Sequence, residues 1–294
     1  MADNIGNKAA KDYHIDVPAP DQGFFAKGLG HGDWGAKNRL SRLFNPESGN
    51  TVMLAFDHGY IMGSTAGLER VDVTIAPLCK YVDVLMGTRG TIRSCIPPTV
   101  HNAVCLRATY DASVLIDDMS TGTGIGADME AAIRMNAAAV AIQCFIGGAG
   151  EAESMETLCR AVDEGERYGI PVLGVTAVGK EMARTTQYFL LATRILAELG
   201  ASFVKTYYCD DFEKVVAACP VPIVIAGGKK LPEMEALEMA WKAIDQGARG
   251  VDMGRNIFQS DCPVGMAQAI SSVVHKGYSA KEAFEVYQEI KNKK

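Results

Sequence analysis

The sequence predicts an α/β protein, a closed (β/α)8 TIM barrel with an N-terminal extension. Three observations predict it. Apolar runs of strand length recur eight times between residues 51 and 258. Stretches with helical spacing separate most of them, which is βα repetition. The runs are apolar almost throughout, as parallel strands covered on both faces are. At 294 residues the chain can bury a sizeable core without staples. An open doubly wound sheet is the competing reading. It wants a Gly-x-Gly-x-x-Gly turn directly after a strand, and "TGTGIG" at 121–126 has no strand running into it.

Residues 1–50 precede the first run. Pro18, Pro20 and several glycines break any periodicity in residues 1–30, so this part reads as an extended arm and a candidate contact between subunits. "AKNRLSRLF" at 36–44 reads as a short helix, and "NPESGN" turns the chain. Residues 51–294 are then assigned to the barrel. Its strands are expected at "TVMLAFDHG" (51–59), "VDVLMGTRG" (82–90), "NAVCLRATY" (102–110) and "VAIQCFIGG" (140–148). The other four are "PVLGVTAVG" (171–179), "SFVKTYYC" (202–209), "VPIVIAGGK" (221–229) and "GVDMGRNIF" (250–258). Helices are expected at 155–169, 185–200 and 233–250, the last two stopping at Gly. The long link between strands three and four, "DDMSTGTG", reads as a mobile loop or lid.

Composition excludes several function classes. A formal net charge of -6 gives no sign of nucleic-acid binding. The eight cysteines form no CxxC pair and sit mostly in apolar runs, which reads as free thiols in a reducing compartment. The start, "MADNIGNKAAKDYHID", lacks the basic and apolar regions of a signal peptide. No apolar run reaches the ~20 residues of a membrane helix. A cytoplasmic protein without membrane partners is expected. The five histidines are scattered without ligand spacing, so neither a metal nor a prosthetic group is expected.

In a barrel of this kind, chemistry gathers where strands end and loops begin. Asp57 and His58 end strand one, Thr88 and Arg89 end strand two, and Arg107 lies in strand three. Lys205 and Tyr207 share one parity on strand six and point the same way. A lysine facing the barrel interior is costly unless neutral or paired. Made neutral, its amine can attack a carbonyl and form a Schiff base. The structural alternative is a lysine paired to an acid such as Asp57, and parity alone leaves an outward, snorkelling lysine open. Asp57 is a candidate acid or base. His58 has the opposite parity, so the two are not expected to face one substrate atom, although His58 can polarise a carbonyl or cap the loop. Beyond strands seven and eight, Gly227, Gly228 and Lys229, with Gly254 and Arg255, place glycines next to cations. That is the pattern of a phosphate cradle, in which Arg255 can hold the oxygens with two hydrogen bonds.

With these residues in place the chain resembles a known family. "AFDHG" (55–59), "FVKTYY", "IAGGKK" (225–230) and "GVDMGRNIFQ" (250–259) resemble the archaeal-type class I aldolases, which are DeoC/FbaB-like Schiff-base barrels. The resemblance covers residues ~50–275 in register, and its motifs are specific together. It implies that Lys205 is the Schiff-base lysine, Asp57 the strand-one aspartate, and Gly227, Gly228, Gly254 and Arg255 the phosphate site. One departure stands out. The family's fructose-bisphosphate aldolases carry a proton-transferring tyrosine on strand five, where this chain has "GVTAVGK" (174–180) with Thr176 near that place.

The whole chain, including "DWGAKNRLSRLFNPESGNTVMLAFDHGY", is similar to a bacterial thiolase branch of the family. That similarity implies acetyl transfer from a phosphorylated dione to coenzyme A in autoinducer-2 processing, on a homo-oligomer described as a decamer. Coenzyme A is then a co-substrate. Its site is not legible, and Lys180, Lys230 or the "TGTG" loop are candidates to touch it. Two alternatives are a Schiff-base aldolase acting on a sugar phosphate such as fructose 1,6-bisphosphate, and a non-catalytic sensor of phosphorylated ligands.

Overall fold

The protein is described here by a computed structural model, in which residues 24–177 and 184–293 are described. All eight apolar runs contain barrel strands. They are β1 (Thr51–Ala55), β2 (Val84–Thr88), β3 (Ala103–Arg107), β6 (Ala139–Cys144), β7 (Val172–Thr176), β8 (Phe203–Tyr207), β9 (Ile223–Ala226) and β10 (Gly250–Met253). The two remaining strands, β4 (Thr109–Tyr110) and β5 (Gly124–Ile125), form a small antiparallel sheet beyond β3. The barrel closes in the order β1-β10-β9-β8-β7-β6-β3-β2, every pairing parallel.

Two departures have clear causes. The third run is not one strand. After Arg107 the chain leaves the barrel, and Tyr110 pairs with Gly124. Part of the predicted "TGTG" loop is therefore held in a hairpin. The helix predicted to reach Gly250 stops at Asp245. Gly247, at φ +98, turns the chain, and Gly250 already begins β10.

Alternation along the strands sorts the core into two layers. Outward residues such as Val52, Leu85, Leu106, Val140, Val204 and Val251 pack against the helices. Inward residues fill the barrel, including Met53, Val84, Met86, Ala103, Ala139, Leu173, Phe203 and Val224. The helix Trp34–Leu43 closes the N-terminal end of this inner core. Asp33 caps it by accepting from the Ala36 amide at 2.8 Å. Its Leu40 and Leu43, with Phe44, join the inner cluster, and the Phe44 ring meets Phe203 edge-on at 5.4 Å. The N-terminal end is thus plugged by hydrocarbon, and polar groups inside the barrel are left to the other end. Among the described residues no helix is long and apolar enough to cross a membrane. All eight cysteines are free thiols.

Candidate active site

Lys205 sits on the inward parity of β8, between Phe203 and Tyr207, with its side chain 12% exposed. Its ammonium lies 2.8 Å from Oδ2 of Asp252 on β10, a residue with 0% side-chain exposure. The Lys205 Nζ also lies 3.7 Å from the Met86 sulfur. Two of the open points in the sequence close here. The lysine faces inward, and its acid is Asp252, not Asp57. Asp252 was missed, although it carries the same signal as Lys205: a charge at an inward position of an apolar run.

Asp57 follows β1 and takes a different partner. Arg107 donates from Nε to Asp57 Oδ2 at 2.8 Å, with both groups buried. Burial pushes the Asp57 carboxyl up. Arg107 and Lys205 outweigh it, with a smaller contribution from His58, and hold the group below the usual carboxylate range. Asp252 goes the other way. Its burial, reinforced by Asp57, raises it above that range despite Lys205 and Arg107.

His58 lies against the same group. Its Nδ1 is 4.0 Å from Asp57 Oδ1 and has no hydrogen-bond partner. The parity that separated the two residues does not apply, because β1 ends at Ala55 and both lie in the turn beyond it. Burial pushes the His58 imidazole down. Asp57 opposes this, while Lys205, Arg255 and Arg107 reinforce it. The neutral ring is therefore favoured. It also meets Phe258 edge-on at 5.9 Å.

A second polar group closes over Arg107. Its guanidinium lies 5.5 Å from the centre of the Tyr60 ring. The Tyr60 hydroxyl donates to the Asp111 carboxylate, which also accepts from Thr123 Oγ1 at 2.8 Å. Burial, eased by Arg107 and reinforced by Asp111, raises the Tyr60 hydroxyl above its ordinary value. Thr123 thus ties the "TGTG" segment to the barrel mouth. Nothing in the sequence marked Tyr60, in the short helix Gly59–Met62, or Asp111, just past β4, which lie 51 positions apart.

The glycines after β9 and β10 converge. A Cβ on Gly254 would fall 2.2 Å from the Ala55 carbonyl and 2.8 Å from His58, so only Gly fits between β10 and the His58 turn. Gly228 has φ +66. Asn256, fully buried, donates to the Gly227 carbonyl and accepts from the Leu231 amide, both at 2.8 Å. It locks the two loops together and was also missed, since only its glycine and arginine neighbours were singled out. Arg255 borders His58, and its buried Nε has no partner. Arg184 stacks on Tyr207, 4.0 Å from the ring centre, beside Gly228.

Other candidates fall away from this centre. Lys229 is exposed, and Lys230 pairs with Glu233 at 2.9 Å. Lys180 lies outside the described residues. Thr176 has the outward parity of Val172, so its buried hydroxyl sits in the barrel wall and not in the barrel. Among the described residues no three His, Cys, Asp or Glu side chains gather as a metal site. A cavity of about 550 Å³, lined by Leu29, Leu40, Val172 and Val221 among others, opens at the N-terminal ends of β7 and β8. It lies away from the buried charges, which mark the chemistry better than cavity size does.

The arrangement offers a buried amine beside an acid raised by burial, a second acid held ionised, a neutral imidazole and a glycine-lined loop pair with a cation. The chain is similar along its length to known proteins. The chain is 54% identical over 288 residues to the 3-hydroxy-5-phosphonooxypentane-2,4-dione thiolase of Escherichia coli K12, covering 98% of each chain. It is 53% identical, with the same coverage, to the protein of that name from Photorhabdus laumondii. The fold is similar to an archaeal fructose 1,6-bisphosphate aldolase, at a TM-score of 0.74 and 24% identity. That match covers 82% of this chain and all of the other. Residues 51–260 match the DeoC/LacD family aldolases. On its barrel, its inward lysine and these matches, the chain belongs to the DeoC/LacD aldolase family.

Proposed function

We propose that this enzyme transfers an acetyl group from 3-hydroxy-5-phosphonooxypentane-2,4-dione to coenzyme A, in autoinducer-2 processing. The products are dihydroxyacetone phosphate and acetyl-coenzyme A. The observation that carries this reading is the 54% identity to thiolases of that name along 98% of both chains. The site supports it with an inward amine and no hydroxyl at the inward positions of β7, where Leu173 and Val175 stand.

In this reading the substrate's phosphate lies against Gly227, Gly228 and Gly254, with Lys229 at the rim and Arg255 as the charged donor. Lys205 engages the ketone nearest the phosphate and forms an imine with it. The coenzyme A thiolate adds to the acetyl carbonyl to give a tetrahedral adduct. As that adduct collapses to the thioester, the bond between the acetyl carbon and the three-carbon unit breaks, and its electron pair is held as an enamine on the fragment. Asp57, ionised, and His58, neutral, are the candidate groups to accept the thiol proton and return a proton to the fragment. The protein works as a cytoplasmic homo-oligomer, a decamer in this reading, with the N-terminal arm between subunits.

Purified protein given the phosphorylated dione and coenzyme A tests this directly. Acetyl-coenzyme A and dihydroxyacetone phosphate should appear in equal amounts, and neither should form without coenzyme A. Cleavage of fructose 1,6-bisphosphate without any thioester product would return the chain to the sugar-phosphate aldolases.

A further inference from the structure

We propose that Asp252 is the proton acceptor that frees the Lys205 amine for attack and then returns the proton to expel water. The proposal rests on the reading of Lys205 as an imine-forming lysine.

The geometry carries it. Asp252 is the acid nearest the reacting nitrogen, at 2.8 Å, and comes from β10, one strand removed across β9. Its carboxylate is sealed from solvent, and Lys205 is the cation that lies directly against it. The groups facing it are Lys205, Arg107 and Cys105 inside the barrel, with Asp57 at the mouth. Asp57 is committed to Arg107, so it does not compete for the lysine proton. Burial favours the protonated form of Asp252, which narrows the gap between the ion pair and the neutral amine–acid pair.

The step balances. A proton leaves Nζ and binds Asp252 Oδ2, leaving a neutral amine and a neutral acid. The amine lone pair forms the C–N bond, and the carbonyl π pair moves to oxygen. That oxygen takes one proton from nitrogen to give the carbinolamine. Asp252 then protonates the hydroxyl, the C–O bond breaks, and water leaves an iminium. The ammonium's two lost hydrogens are those of the water, and Asp252 ends ionised.

A purely structural Asp252 would neutralise the Lys205 charge without taking part in this transfer. The two roles separate in the pH dependence of imine formation. The test uses dihydroxyacetone phosphate as probe, borohydride to trap the adduct, and mass spectrometry to follow its rate on Lys205. Asp252→Asn should trap at least ~100-fold more slowly near neutral pH, and should recover as rising pH removes the ammonium proton by solvent. Asp252→Glu, which keeps the carboxylate, should retain the wild-type pH profile. Wild-type trapping with an Asp252→Asn variant of the same rate and profile would overturn the proposal alone. So would an Asp252→Glu variant that follows Asn. A wild-type enzyme that turns over but never traps would overturn the imine reading and this proposal with it, leaving acetyl transfer itself in place.

Discussion

Arg107 and Asp57 form a buried ion pair at 2.8 Å that bridges β3 and the turn after β1, and this pair leaves Lys205 to Asp252. Removing the cation strands a buried carboxylate. Arg107→Leu should destabilise the protein by about 3–5 kcal/mol, measured by urea unfolding. The double variant with Asp57→Asn should lose less than the sum of the single changes, by about 0.5–3 kcal/mol. A single-variant loss below ~0.5 kcal/mol would show that the pair does not act as a unit.

Lys205→Ala should abolish product formation in a folded protein. Its stability cost should stay below the ~3–5 kcal/mol of a broken buried pair, because Asp252 can take up a proton. Asp252 is already raised by burial, and Lys205 is the main charge opposing that rise. A carboxyl raised in the folded state contributes stability that is present below its unfolded pKa and lost as pH climbs through the folded one. The variant should therefore fall further behind the wild type as pH rises from about 4. A difference in melting temperature that is flat with pH would contradict this.

Arg255→Ala should raise KM for the phosphorylated dione and leave kcat nearly unchanged. Losing a charged hydrogen bond of about 1.5–3 kcal/mol corresponds to roughly 10- to 150-fold. Turnover of an unphosphorylated dione should not change. An equal loss on both substrates would place Arg255 in the chemistry and not in the cradle.

His58 is held below its ordinary pKa, mainly by burial. The unfolded chain therefore takes up a proton there at higher pH than the folded one. Wild-type stability from this group is present above the ordinary histidine range and falls as pH drops through about 6.5. His58→Gln should flatten that part of the stability curve between pH 7 and 5. A variant whose curve parallels the wild type would mean the ring titrates normally.

Deleting residues 1–23 should lower the mass of the assembly measured by light scattering. The cut spares Ala26 and Leu29, which are buried in the inner cluster, so the barrel itself should remain folded. An unchanged mass would remove the arm from the subunit contact.

The eight strands were legible because a strand covered on both faces must be apolar along its length, and that requirement is written locally. Lys205 was legible for the same reason inverted, as a charge where hydrocarbon was required. Asp252 carried that mark too, but a charge inside one run does not say which charge inside another it will meet. Pairing depends on how eight strands close, and only the closed order sets β10 one strand away from β8. The His58–Asp57 contact depended on where β1 ends, because alternation stops with the strand. The Asn256–Gly227 and Tyr60–Asp111 bonds join segments far apart in sequence and carry no local period at all. By itself the sequence determined the repeating architecture and the lysine, because hydrophobic period and misplaced charge are local properties. Which acid serves that lysine, and which stays with Arg107, only the tertiary structure decided, because electrostatic partners are chosen by distance across a closed barrel.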